Sequence, residues 1–309
     1  MRHLLDLFSV APAELTKLLD EAARLKAARR QGLPAHSLSG KVVGLVFEKP
    51  SLRTRVSFEA GIAQLGGTSL FMPGSEVGLG WRETLADFAR TMSRYIDAMV
   101  FRVFKQETVT GIAAVSKVPV VNALSDEEHP CQALADLLTI RERFGEIAGR
   151  RIAFVGDGNN VAKSLAVGAA KLGGTFLLGC PKGYEFDEPF AKRFAREIGQ
   201  PLAQINDPAE VVRQADVIYT DVWTSMGQEE EKEKRLKDFA AFQVNGQLMS
   251  HAPKHAIVLH CLPAHRGEEI TNDVVDGPQS LVFDQAENRL HVQKAVLEWL
   301  VEFSNDRQS

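Results

Sequence analysis

The tetrapeptide Leu-Gly-Gly-Thr occurs twice, as Leu65-Gly66-Gly67-Thr68 and as Leu172-Gly173-Gly174-Thr175. Each copy closes a strand–loop–helix segment. The first segment runs from the apolar stretch at 40–47 through a polar loop into a helical pattern over Val56, Phe58, Ile62 and Leu65. The second runs from 149–155 through Gly156-Asp157-Gly158-Asn159-Asn160 into a second helix. Glycine just past the last turn stops a helix, and the apolar run after each copy reads as the next strand. Strands alternating with helices predict parallel sheets covered on both faces. The expected fold class is α/β: two doubly wound parallel-sheet domains joined by interdomain helices. The expected domains are 1–145 and 146–286, with the glycine-flanked stretch 145–149 at the boundary and a helix over 132–144 at the junction. The last helix, 287–305, has no strand after it and is expected to pack back onto the first domain.

The chain has 309 residues, enough for two domains of ordinary size. Its net charge of −4 argues against general nucleic-acid binding, which needs a basic face, but allows a local positive pocket. Three cysteines are too few and too odd for a disulfide framework and suit a reducing compartment. No apolar run approaches the roughly 20 residues of a membrane helix. The first 32 residues carry acids and leucines at helical spacing, unlike a secretory or transit leader. The expected location is the cytoplasm, with no membrane and no nucleic acid among the partners.

Four segments carry chemistry. Ser51-Leu52-Arg53-Thr54-Arg55 follows the first strand and opens a helix, where backbone N–H groups and the helix dipole favour an anion. Arginine adds a two-pronged donor that fits phosphate oxygens. His129-Pro130-Cys131-Gln132 starts another helix after an acidic loop. Its histidine suits donation to a developing oxyanion, and Gln132, three residues on, suits an amide-like group. A packed histidine is the plainer alternative. Asp221 ends a strand and precedes Trp223 and Ser225-Met226-Gly227. It suits a cationic amine or caps a turn. His260-Cys261-Leu262-Pro263 also ends a strand, where Cys261 is either a site residue or a buried thiol.

Two other readings are weaker. Gly156-Asp157-Gly158 misses the dinucleotide fingerprint, since the third glycine falls on Val161, so Asn159 and Asn160 suit either an amino acid's charged groups or turn chemistry. The histidines at 251, 255, 260 and 265 with Cys261 are interrupted by Pro253 and Pro263 and fit no zinc spacing. The run 229–234 reads as a solvated face.

Together the four segments, in order over nearly the whole chain, resemble the aspartate/ornithine carbamoyltransferase family, and its ornithine branch most closely. The resemblance implies transfer of the carbamoyl group of carbamoyl phosphate to the δ-amine of L-ornithine, giving L-citrulline and phosphate, without cofactor or metal. Ser51, Leu52 (through its backbone), Arg53 and Thr54 would hold the phosphate, Arg102 would join them and also reach the carbonyl oxygen, and His129 would reach that oxygen too. Gln132 and the Leu262 carbonyl would hold the carbamoyl NH₂. Asn160, Asp221, Ser225 and Met226 would hold ornithine, and Cys261 and Arg289 would line the reacting centre. A homotrimer or a multimer of trimers is implied, and arginine synthesis is favoured over breakdown. Leu52 departs from the threonine of many members. Rival acceptors are aspartate, putrescine and an N-acylated ornithine; rival classes are a nucleotide sensor and a silent protein keeping the fold.

Overall fold

The computed structural model describes residues 1–224 and 229–305. The chain divides into two compact units. Unit 1 comprises Met1–Leu138 with the segment from Asn288 onward, and unit 2 comprises Thr139–Glu287. The division falls inside two continuous helices, Pro130–Phe144 and Val282–Asn305.

Unit 1 is built on β1 (Val42–Phe47), β2 (Thr68–Pro73), β3 (Ala98–Arg102) and β4 (Val120–Leu124), all parallel, in the order β2-β1-β3-β4. Unit 2 is built on β5 (Arg151–Val155), β6 (Thr175–Gly179), β7 (Ala203–Ile205), β8 (Val217–Thr220) and β9 (Ile257–His260), also parallel, in the order β7-β6-β5-β8-β9. These are the two parallel sheets that the sequence pattern predicts. The central strands are apolar along their length because both faces are covered. Val43, Leu45 and Val46 of β1 and Ile152 through Val155 of β5 are fully buried.

The repeated Leu-Gly-Gly-Thr motif does the same work in both units. Gly66 and Gly173 take left-handed φ of 80° and 79°. Gly67 N–H then donates to the Ile62 carbonyl at 3.0 Å, and Gly174 N–H to that of Ala169 at 2.9 Å. Gly66 and Gly173 donate to Ala63 and Ala170, both at 3.1 Å, completing a six-to-one and five-to-two closure. The threonine after each pair enters the next strand in the same register, Thr68 opposite Val42 and Thr175 opposite Arg151.

The last helix begins at Val282, five residues before its predicted start. Within unit 1, Lys26 Nζ donates to Asn288 Oδ1 at 2.7 Å and Ser37 Oγ to Glu298 Oε1 at 2.5 Å. The charged run at 229–234 leads into Arg235, which is only 4% exposed, so its solvated character ends one residue later. Among the described residues, no helix is long and apolar enough to cross a membrane.

Gly158 sits where a neighbouring backbone leaves no room for a side chain. A Cβ there would lie 2.7 Å from Phe186 N and 2.9 Å from the Glu185 carbonyl carbon. The glycine accommodates a neighbouring backbone, which cannot retreat as a side-chain tip can. Gly158→Ala is expected to lower stability by about 1–3 kcal/mol, as overpacking does, read as a lower urea midpoint with unchanged slope.

Candidate active site

In open parallel sheets, ligands gather at the carboxyl ends of strands where the strand order reverses. Unit 1 reverses between β1 and β3, and unit 2 between β5 and β8. Of the predicted site residues, Ser51, Leu52, Arg53, Thr54, Arg102, Asn160 and Asp221 lie at or just after the ends of these strands. His129, Cys261 and Leu262 follow the neighbouring β4 and β9, and Gln132 and Arg289 lie on helices.

In unit 1, Ser51 caps the helix Leu52–Gln64 that follows β1. Its hydroxyl accepts from Thr54 N–H at 3.4 Å and donates to Thr54 Oγ1 at 3.0 Å. The N–H groups of Leu52 and Arg53 sit in the first turn, where no helical carbonyl can reach them. Thr54 is fully buried, and Arg289 Nη2 donates to its Oγ1 at 2.6 Å. Arg53 is exposed, and Leu52 is 75% exposed. Arg55 turns elsewhere: it pairs with Glu59 at 3.0 Å and stacks on Phe71.

Arg102 ends β3 at a register shift, where the ladder to β4 steps from Phe101–Asn122 to Arg102–Leu124. Such a bulge re-aims a side chain, and Arg102 is buried there. After β4, Ser125 Oγ accepts from the N–H groups of Glu127 and Glu128 at 3.3 and 3.1 Å, forming the turn that delivers His129. The His129 carbonyl then receives Gln132 and Ala133 N–H, both at 3.1 Å, ahead of Pro130 at the first helical position.

His129 is buried, and burial, reinforced by Arg289 and then Arg102, holds its pKa well below the ordinary imidazole value. Its surroundings therefore favour the neutral imidazole. Gln132 is 1% exposed; its Nε2 donates to Asp136 Oδ1 at 2.8 Å, while its Oε1 is buried with no hydrogen-bond partner among the described residues. Thr54, Arg289, Arg102 and His129 thus form one buried cluster, linked by contact or by charge, at the carboxyl edge of the unit 1 sheet.

In unit 2, Asn159 caps the helix Asn160–Lys171, its Oδ1 accepting from Val161 and Ala162 N–H, both at 3.0 Å. Its Nδ2 donates to Asp221 Oδ2 at 2.9 Å, bridging the loops after β5 and β8. Asp221 Oδ1 accepts from Val222 N–H at 2.8 Å and from the Cys261 thiol at 2.9 Å. Asp221, Asn159 and Cys261 are thereby brought together, and Asn160 opens the helix beside them. Ser225 and Met226 lie outside the described residues.

Sequence reasoning missed three participants. Arg235 binds Asp157 and the Trp223 carbonyl and stacks on Tyr184. Burial pushes the Asp157 carboxyl up to about 6, with Arg235 pulling it down and Asp221 pushing it up. Glu269 is fully buried, 3.0 Å from His260 Nε2. The sequence holds no local signal for these partners, which lie 9 to 78 positions apart.

An α/β protein with buried arginines beside a helix start in one unit and an acid–amide–thiol cluster in the other has parts suited to group transfer. Residues 2–142 match the family model for the aspartate/ornithine carbamoyltransferase carbamoyl-P binding domain, and residues 148–300 match that for the Asp/Orn binding domain. The chain belongs to the aspartate/ornithine carbamoyltransferase family. It is 50% identical over 303 residues to an ornithine carbamoyltransferase of Pyrococcus abyssi, covering 97% of this chain and 96% of that one. A Pyrococcus furiosus relative named as an anabolic ornithine carbamoyltransferase is 50% identical over 96% of this chain and 95% of its own. A solved Pyrococcus furiosus ornithine carbamoyltransferase superposes with a TM-score of 0.93 at 49% identity, covering 97% of each chain.

His129 also has a signature in stability. An unfolded histidine takes up a proton below pH about 6.5, whereas the buried one does not. Falling pH therefore favours the unfolded chain, by up to about 1.4 kcal/mol per pH unit. Asp157, whose pKa is raised, acts in the opposite sense. The comparison with His129→Gln isolates the histidine: between pH 6.5 and 5, urea titrations should show the variant losing stability less steeply than wild type.

Proposed function

We propose that the chain transfers the carbamoyl group of carbamoyl phosphate to the δ-amine of L-ornithine, forming L-citrulline and inorganic phosphate. A C–N bond forms, the C–O bond to phosphate breaks, and the amine gives up a proton. The observation that carries this reading is the unit 1 cluster, an anion seat adjoining a buried neutral histidine and the unsatisfied Oε1 of Gln132. A buried carbonyl oxygen left without a donor costs about 1–3 kcal/mol. The NH₂ of a carbamoyl group supplies that donor.

Ser51, the Leu52 backbone, Arg53 and Thr54 take the phosphate. Arg102 and neutral His129 donate to the carbonyl oxygen as it gains charge, the term that usually dominates such reactions. The Leu262 carbonyl accepts from the carbamoyl NH₂. Arg289 holds Thr54 in the seat and lines the reacting centre. Asp221, with Asn160, Ser225 and Met226, takes the α-amino and carboxylate groups of ornithine, with Cys261 beside the amine.

The δ-amine must react as the neutral base, since an alkylammonium has no lone pair. The chemistry needs no metal or redox cofactor. Arginine synthesis is the favoured direction, supported by the word anabolic in the name of the Pyrococcus furiosus relative. A homotrimer, or a multimer of trimers, is what the family resemblance implies, and an assembly of either kind has exposed Leu52, Val56, Leu70 and Trp81 on unit 1 available to cover. A cytoplasmic location suits three cysteines that form no disulfide.

The test is citrulline formation from carbamoyl phosphate, with ornithine, N-acetylornithine, putrescine and aspartate compared as acceptors. Ornithine is expected to exceed the others by at least 100-fold in kcat/KM, and a preference for another acceptor would overturn the assignment. Arg53→Lys keeps the charge but loses the fork. It should weaken carbamoyl-phosphate binding at least tenfold by calorimetry; unchanged affinity would remove Arg53 from the phosphate seat.

A further inference from the structure

His260, the last residue of β9, is held through its backbone N–H and both ring nitrogens. Its backbone N–H donates to Gln285 Oε1 at 2.9 Å, and Gln285 Nε2 donates to Tyr219 Oη at 3.1 Å. Its ring Nδ1 receives the Leu262 N–H at 2.8 Å. A ring nitrogen that accepts carries no proton, so Nε2 must be the protonated one. Nε2 lies 3.0 Å from Glu269 Oε1, which also accepts from His265 N–H at 2.6 Å. His260 is 1% exposed and Glu269 fully buried, so water does not compete for these bonds.

Leu262 is where this chain of bonds ends. Its φ is 57°, and among the described residues it is the only non-glycine with a positive φ. Left-handed backbone is unfavourable for a residue with a Cβ and persists where the surroundings hold it. The bond from Leu262 N–H to His260 Nδ1 is such a hold. The backbone on either side of it carries the Cys261 thiol and the Leu262 carbonyl.

We propose that His260 and Glu269 are a positioning pair for the donor substrate, Glu269 fixing the ring so that Nδ1 holds Leu262 N–H and aims the Leu262 carbonyl. The inference rests on the reading of that carbonyl as a ligand of the carbamoyl NH₂. Neither side chain needs to touch substrate. An arrangement of this kind, in which an outer group fixes a ring and the ring fixes a ligand, is how metal-binding histidines are commonly oriented; here the oriented group is a peptide carbonyl.

Two amide variants separate the ring's two nitrogens. His260→Asn places an amide oxygen near the former Nδ1 and can still accept from Leu262 N–H, but abandons Glu269. His260→Gln reaches toward Glu269 but not Leu262. The expected result is an inversion. His260→Asn should keep KM for carbamoyl phosphate within threefold of wild type while losing more thermal stability. His260→Gln should raise that KM tenfold or more while staying the more stable of the two. Competitive inhibition by inorganic phosphate, which needs only the unit 1 seat, should move by less than twofold in both.

Equal KM values, or a KM that follows thermal stability, would overturn the inference. Should His260→Asn fail to fold, Glu269→Gln and Glu269→Ala decide. The first keeps an acceptor for Nε2–H and should stay within threefold in KM, whereas the second should rise tenfold or more. Equal KM in that pair also overturns it. A wild-type protein that makes no citrulline would overturn the functional reading and this inference with it. An active wild type with indifferent variants would sink the inference alone.

Discussion

A helix that begins at the carboxyl edge of a parallel sheet starts with backbone N–H groups that no helical carbonyl can reach. What meets those groups sets the chemistry of each unit. In unit 1, Ser51 satisfies the N–H of Thr54 and leaves those of Leu52 and Arg53 at the mouth of the helix, with Arg53 exposed beside them. That end remains available to an anion. In unit 2, Asn159 Oδ1 takes both Val161 and Ala162 N–H, which fills the corresponding position with a side chain of the protein itself. Both helices follow a central strand, yet Ser51 takes one first-turn donor and Asn159 takes two. The dinucleotide reading of the Gly156-Asp157-Gly158 loop thereby loses two helix-start donors, and Gly158 is explained by the backbone packed against it.

The charges follow the same division. Buried Arg102 and Arg289 in unit 1 flank a histidine that they help to keep neutral. A cationic imidazole there would add to the repulsion, whereas a neutral one donates a hydrogen bond at no such cost. In unit 2 the loops after β5 and β8 hold two carboxylates, Asp221 and Asp157, and buried Arg235 pairs with Asp157. Asp221 already accepts from Asn159, Val222 N–H and Cys261, so it enters any further interaction as a held group rather than a mobile one. A positive edge suits an acyl phosphate, and an acidic cluster suits an amino group.

The fold class was legible because its signals are local. A Leu-Gly-Gly-Thr end is a six-residue hydrogen-bond pattern that reads the same wherever it occurs, and it recurs at 62–67 and 169–174. Arg53 and His129 were legible as residue types at the starts of helices, whereas Arg102 and Arg289 entered only through the family resemblance. Their geometry was not legible: the register shift that turns Arg102 depends on how β3 meets β4, and no pattern within β3 announces it. Asn159 read equally as turn chemistry or as a ligand, and its contact with Asp221 spans 62 positions. Arg235 was hidden at the end of a charged run whose other members are mostly exposed. Glu269 carried no signal, because an acid beside a histidine nine residues back is visible only once β9 and the following loop have folded.

Leu52 shows how a departure from a family pattern is read in physical terms. Its side chain is 75% exposed, so it cannot be contributing packing within unit 1, and a leucine has no group to offer a phosphate. Its N–H is another matter: first-turn geometry places that donor whatever the side chain, because the helix start is set by Ser51 and the apolar face of the helix by Phe58 and Ile62. Replacing a hydroxyl by an isobutyl group therefore removes one side-chain donor and leaves the backbone donor intact. The isobutyl group lies one turn from Val56, which is 50% exposed, and the two form a short apolar strip on the same helix. Water gains nothing from that strip, whereas a subunit packed against it would remove apolar surface from solvent. Position 52 thus has two separable parts, a backbone N–H fixed by the helix start and an exposed apolar side chain that the rest of unit 1 does not use.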